Sequence, residues 1–299
     1  MKISRHDALL LLVVLIWGAN FGFVKISLKE IDPLAFGATR LLLGAPAMLL
    51  VLRFFEKSVL LEGNRFVKTR ADLARFAALS VFLAGDYVLF IKGVALTTSA
   101  NASILYSASP ILIAALGIIR GKRLNRLTVL GLATAFSGVV MVIASSKGTG
   151  LHGFWNSATI KGDVIIGLAV VCWALFTHFS TTVLDRYSAI RVTAYAMTGA
   201  AVISGLASYG PLLNQAWETV SFMGWAGLVY STALSTVVSL AIWYYAVSKI
   251  GPLKVVAFQY LIPVTAIILA FVVWKEALYP FQVVGGVLVL AGVRFVRLS

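Results

Sequence analysis

Charge is scarce in this sequence. Only 12 % of its 299 residues are Asp, Glu, Lys or Arg, about half the share of an ordinary soluble domain, while 60 % are hydrophobic. That balance excludes an ordinary aqueous fold and places the chain in a lipid bilayer. Cysteine is scarcer still: Cys172 stands alone, cannot form an internal disulfide and says nothing about redox compartment. The usual signatures of chemistry are missing as well. There is no His-Glu-x-x-His, no Gly-x-Ser-x-Gly and no second acid well inside an apolar span to partner Asp86. A selectivity filter and an arginine ladder are absent too, so a channel or a hydrolase has no support. Neither a metal nor a cofactor is expected.

What the sequence does have is long apolar runs. Ten lie near residues 8–28, 33–52, 73–95, 97–119, 127–145, 162–183, 190–209, 222–247, 252–274 and 279–296. Each covers about 18 to 26 residues, enough at roughly 1.5 Å per residue to cross a ~30 Å hydrocarbon core. The expected fold is an all-α membrane protein with ten transmembrane helices. A net charge of +14 would point to nucleic acid in a soluble protein, but here its distribution gives topology. Of the 25 Lys and Arg, eighteen fall in loops on the side of the termini when loops are assigned alternately. Five fall opposite (Lys25, Lys29, Lys147, Lys161 and Lys275), and Arg40 and Lys92 lie inside spans. The positive-inside rule then puts both termini in the cytoplasm, with the bilayer and no nucleic acid as partner. Lys2 and Arg5 before an apolar run imitate a signal peptide. The run reaches Phe23 without an Ala-x-Ala site, so a retained first span is expected.

One stretch occurs twice. Gly85 to Arg120 aligns with Val238 to Val273 at an offset of 153 residues, setting Tyr106 against Gln259 and Pro110 against Pro263. Each copy is a very apolar helix with a proline near its middle. In hydrocarbon the carbonyl freed by such a proline needs another partner, so the helix is tolerated where it faces protein or a wet cavity. Trp17 and Trp173 echo each other in the same way, as do Gly131 and Gly138 with Gly285 and Gly292. Residues 146–161, polar and glycine-bearing, separate five spans from five. Five is odd, so the second half must be inserted upside down. The expected organisation is a first repeat over 1–145, an external linker over 146–161 and an inverted second repeat over 162–299, around a central cavity. The glycine faces of spans five and ten suit packing braces or a dimer contact, which makes a homodimer a possible assembly.

Polar and aromatic residues inside the spans are the candidates for function. Asn20 lies beside Trp17 at mid-depth and must find a partner. Arg40 stands about 10 Å from the outer end of span two, and either snorkels, pairs or meets substrate. Asp86 is the one acid well inside a span; it either marks a functional position or pairs with Arg40 or Lys92. Ser99, Ser103 and Ser107 recur every four residues in span four, beside Tyr106. His178 either carries protons or is a neutral, hydrogen-bonded packing residue. Ser231, Ser235, Ser239 and Trp243 recur every four residues in span eight, a polar stripe that must face helices or water. Tyr244 and Tyr245 near its end fit an interfacial aromatic belt. Glu276 after span nine suits a surface anchor.

In these features the chain resembles the drug/metabolite transporter superfamily, and within it the ten-helix exporters of two EamA-type repeats. The resemblance covers nearly the whole chain: Trp17-Gly18 and Asn20-Phe21, Arg40, Pro110 and Pro263, and Glu276 with Gly285 and Gly292. The sequence is most similar to bacterial aromatic amino-acid exporters. It departs from repeat symmetry at Arg123 against Glu276 and in having no match to Arg40 in span seven. The resemblance implies export of amino acids or similar small metabolites across the bacterial inner membrane. The expected transporter has a midplane cavity walled by Trp17, Trp173, Trp243, Tyr87, Tyr106 and Tyr260. Asn20, Gln259, Ser239 and His178 would supply hydrogen bonds, Arg40 and Asp86 would be intramembrane charges, and Gly22, Pro110 and Pro263 would be bending points. Alternatives left open are a drug, nucleoside or sugar-derivative exporter, a membrane-embedded enzyme using Asp86 or His178, and a helical scaffold without a cavity.

Overall fold

The structure is a computed structural model and describes residues 4–56, 67, 69–97, 102, 105–121, 123–144, 160–265, 268 and 280–299. Among these residues no strand forms. The helices are α1 (Arg5–Ser27), α2 (Pro33–Phe55), α3 (Arg70–Leu96), α4 (Ser109–Ile119) and α5 (Arg126–Ala144), then α6 (Ile160–Leu184), α7 (Ala189–Ala207), α8 (Phe222–Ile250), α9 (beginning Pro252–Val256) and α10 (Pro280–Leu298). Seven of them, all but α4, α5 and α9, are long and apolar enough to cross a membrane, and α4 and α5 are shorter apolar helices. Spans four and nine of the sequence reading fall partly outside the described residues, as do Ser99, Ser103, Glu276 and most of the 146–161 linker.

Local sequence sets the helix starts. Ser4 and Asp7 form a reciprocal capping box at α1, with Asp7 N–H donating to Ser4 Oγ at 3.2 Å. Asp32 caps α2 ahead of Pro33, accepting from Leu34 N at 2.8 Å, and Ser188 and Ser221 cap α7 and α8 in the same manner. Gly251, at φ 83°, ends α8 in a left-handed conformation that a side chain disfavours, and Pro252 starts the next helix at once. Outward faces are apolar: Leu50 is 68 % exposed, Phe54 70 % and Leu206 74 %. Helices apolar on their outer as well as inner faces suit lipid contact.

The helices pair as two related halves would. α2 packs on α7 and α5 on α10; α3 packs on α6, and α1 on α8. Exchanging α1–α5 with α6–α10 returns the same pairs. The α5–α10 contact is the most extensive among the described residues. A Cβ on Gly138 would lie 2.6 Å from the Gly285 carbonyl oxygen, and one on Gly292 would lie 2.5 Å from that of Gly131. The two glycine faces are thus occupied by each other within one chain.

Both ends of the bundle are tied by polar contacts. Arg297 meets Asp7 at 2.6 Å, so the first and last helices share an end. There too the fully buried Asp72 carboxylate takes Arg75 at 2.9 Å, Arg186 at 2.7 Å and the Tyr187 hydroxyl at 3.0 Å. Glu56 holds Arg191 at 2.6 Å and accepts from Ser188. At the opposite end Glu30 accepts from Ser221 N at 2.7 Å, and the Asp32 amide donates to Gln215 at 2.7 Å.

Two stability effects are expected. Gly138→Ala and Gly292→Ala each drive a methyl into facing backbone and should lower stability by about 1–3 kcal/mol, as overpacking does. Gly167→Ala is the control, since nothing lies within 4 Å of its added Cβ. Thermal melting in detergent checks the ranking. Asp72→Asn removes the charge that binds two arginines; because those arginines are 43 % and 40 % exposed and can rehydrate, the loss should be about 1–3 kcal/mol. High salt should narrow the difference from wild type in the same melting assay.

Candidate functional site

The helices that line the interior are the irregular ones. α8 is π-helical from Ser231 to Val238, and α9 tightens into a 3-10 turn over Ala257–Tyr260 before Pro263. α4 starts only at Ser109, with Pro110 in its first turn, after a turn at residues 107–108. Each irregular stretch gives up ordinary helical hydrogen bonds, which in a membrane is tolerated where protein or water replaces them. The replacements are specific. Ser231 carbonyl oxygen accepts from Thr236 Oγ1 at 2.9 Å and from Arg40 Nε at 3.1 Å. Ser235 carbonyl oxygen accepts from Trp17 Nε1 at 2.9 Å.

These stretches surround a cavity of about 90 Å³, several times the room one water needs. It lies near the middle of the helices. Trp17, Asn20, Tyr87, Tyr106, Trp173 and Gln259 line it, together with Arg40 and Asp86. Phe90, Ser235, Leu240 and Ile262 complete the wall. Arg40 is buried; its Nε also donates to Thr236 Oγ1 at 2.6 Å, its Nη2 to Ser235 Oγ at 3.0 Å, and its plane lies 4.8 Å from the Tyr87 ring centre. Asp86 accepts from the Tyr106 hydroxyl at 2.7 Å and forms no ion pair with Arg40 or Lys92. Asn20 accepts from Ser231 Oγ at 2.7 Å and Gln259 from Ser109 Oγ at 2.7 Å.

Four of the residues singled out from the sequence lie elsewhere. Trp243 is a layer behind, its ring 4.8 Å from Trp17 and 6.4 Å from Trp173, so that three indoles from α1, α6 and α8 stack as one wall. Ser239 turns its hydroxyl back on the Leu234 carbonyl at 2.8 Å. His178 is buried edge-on to Phe179 at 5.5 Å, and Tyr260 is fully buried in the core. Of the bending points, Pro110 and Pro263 adjoin the breaks in α4 and α9, whereas Gly22 sits within the unbroken α1. Tyr244, a candidate for the aromatic belt, is buried instead, with its hydroxyl 3.1 Å from Thr177 Oγ1. Phe90, Leu240 and Ile262 carried no sequence signal as apolar residues among apolar residues, except that Leu240 is Tyr87 displaced by the repeat offset of 153.

The model of the EamA-like transporter family matches this chain twice, over residues 5–144 and 160–298. The chain belongs to that family. It is 31 % identical to a protein of Archaeoglobus fulgidus named an "Uncharacterized transporter", over 97 % of this chain and 96 % of that one. It is 27 % identical to a Streptantibioticus cattleyicolor protein named "Probable terminal-alkyne amino-acid exporter", over 99 % and 95 %. A Salmonella typhimurium protein named "Probable amino-acid metabolite efflux pump" is also 27 % identical, over 97 % and 94 %. A crystal structure superposes with a TM-score of 0.76 at 16 % identity, covering 99 % of this chain and 98 % of that one, and shares the fold. This EamA-like protein is therefore a multi-pass membrane transporter.

Within the transporter, Ser235 and Ser239 are four residues apart yet differ in access. In a Cys172→Ala background, Ser235→Cys should react with a small methanethiosulfonate reagent, and Ser239→Cys should resist it. Comparable labelling rates at the two positions would count against the π-helical course of α8.

Proposed function

We propose that this EamA-like transporter is a secondary exporter of amino acids with largely apolar, including aromatic, side chains. The observation that supports the reading best is the mid-membrane cavity, where breaks in α4, α8 and α9 coincide with indole and phenol rings. Aromatic walls suit an apolar side chain, while amides and hydroxyls suit a polar head group. Few fixed groups contact any one substrate, so the range is broad and the affinity modest. The names of two relatives point the same way. Transport runs by alternating access, as two inverted repeats, 1–145 and 162–299 across the 146–161 linker, rock about the cavity in the inner membrane. Both termini face the cytoplasm, because the arginine-rich loops share their side. The substrate leaves chemically unchanged, so the protein is not an enzyme.

Counterflow in proteoliposomes tests this. Vesicles preloaded with unlabelled leucine or phenylalanine should accumulate the labelled amino acid transiently, at a rate above that of empty liposomes. Absence of counterflow across a panel of amino acids, with accumulation of a nucleoside or a lipophilic cation instead, would overturn the reading.

A further inference from the structure

Inside the cavity the two charged side chains are each held by protein on one edge only. The guanidinium of Arg40 places Nε and Nη2 on α8, while its Nη1 donates to no atom among the described residues. The carboxyl of Asp86 receives Tyr106 on Oδ1, and among the described residues its Oδ2 accepts from none. Opposite charges this deep in a membrane protein normally close on each other, because an unpaired one is costly. Here fixed partners keep them apart. Arg40 is anchored to the π-helical stretch of α8 and stacked on Tyr87; Asp86 is anchored to Tyr106 at the break before α4. Asp86 and Tyr87 are consecutive on α3, and Arg40 and Asp86 line the same cavity. Asn20 completes the positive end, since it and Arg40 both bond Ser231, and its amide nitrogen donates to no atom among the described residues.

We infer that the two ends form a site for a compact zwitterion. Arg40 Nη1 and the Asn20 amide receive an α-carboxylate, and Asp86 Oδ2, steadied by Tyr106, receives the neighbouring α-ammonium. The assignment rests on the amino-acid reading above and makes it specific: both charges of the substrate are recognised, and the side chain is left to the aromatic wall. A carboxylate on a guanidinium, and an ammonium on a carboxylate, are the strong, charge-assisted hydrogen bonds of such a site. A molecule lacking either charge leaves one cavity charge unmatched and binds less well.

Competition against labelled leucine in wild-type proteoliposomes tests this first, with no mutation needed. Leucine methyl ester, which lacks the anion, and N-acetyl-leucine, which lacks the cation, should each compete at least about tenfold more weakly than leucine. Arg40→Gln should weaken leucine and erase its advantage over the ester while keeping that over the N-acetyl compound. Asp86→Asn should do the reverse. Monodispersity on size exclusion tells a misfolded variant from an inactive one, and if a variant misfolds the wild-type derivative series decides alone. Leucine counterflow with both derivatives competing as well as leucine would overturn the zwitterion site and leave amino-acid export standing. Loss of leucine transport in both variants with unchanged preference among the three compounds would also overturn it. No counterflow of any amino acid in the wild type would sink both.

Discussion

A polar group in hydrocarbon has to find its partner within the protein, and the junction of Arg40 with α8 is where that constraint shapes this molecule most. The π-helical stretch from Ser231 to Val238 presents carbonyls and hydroxyls sideways, and Arg40, Trp17 and Thr236 take them up. The exchange fixes three helices at once. α2 must pass close enough for a guanidinium to reach, α1 must offer an indole N–H, and α8 cannot straighten without orphaning both. Breaks in α4 and α9 obey the same rule, for they too face inward, where Ser109 and Gln259 bond each other across the halves. The cavity is thus what remains where irregular backbone converges and cannot be packed shut.

That origin explains what could be read from the amino acids. Two prolines at one offset mark the breaks, and the residues four positions before them, Tyr106 and Gln259, come to the cavity because the backbone unwinds there. Paired tryptophans at matching depth come with them, since each stands on the first helix of its half. The four-residue stripe on α8 faces protein as expected, for Ser231, Ser235, Ser239 and Trp243 are all buried, yet only part of it lines the cavity, for a definite reason. It assumes α-helical turns throughout, and the π-helical residues rotate everything beyond them, so Ser235 meets the cavity while Ser239 bonds its own helix and Trp243 falls behind Trp17. His178 shows another limit: it is buried like Thr177 and Ser180 beside it, and no periodicity on this mostly apolar helix tells the cavity face from the packing face. The glycines of α5 and α10 were legible as close-contact surfaces, but a small-residue face does not name its partner, and here the partner is the other copy in the same chain.

Walls and charges follow different symmetries. Aromatic and apolar lining comes from both halves, Trp17 with Trp173 and Tyr87 with Leu240, because the helix packing that places them is itself repeated. The charges come from one half. Asp86 corresponds by offset to Ser239, and α7 carries no arginine to match Arg40. A binding pocket needs each charge once, and a second copy of either would add desolvation cost without a ligand group to meet it.

The asymmetry has a mechanical side. Asp86 and Tyr106 belong to the same half, so their hydrogen bond stays within it. Arg40 belongs to the first half, yet its donors rest on Ser231, Ser235 and Thr236 of the second. Of the two charged groups, it alone bonds across the boundary between the two family-matched halves. If the proposed zwitterion site holds, a carboxylate arriving at the free edge of the guanidinium would compete with α8 for the same positive charge and weaken the bonds between halves. Substrate and conformation would then be linked through a single side chain, with no change in the tryptophan wall and no second charged residue.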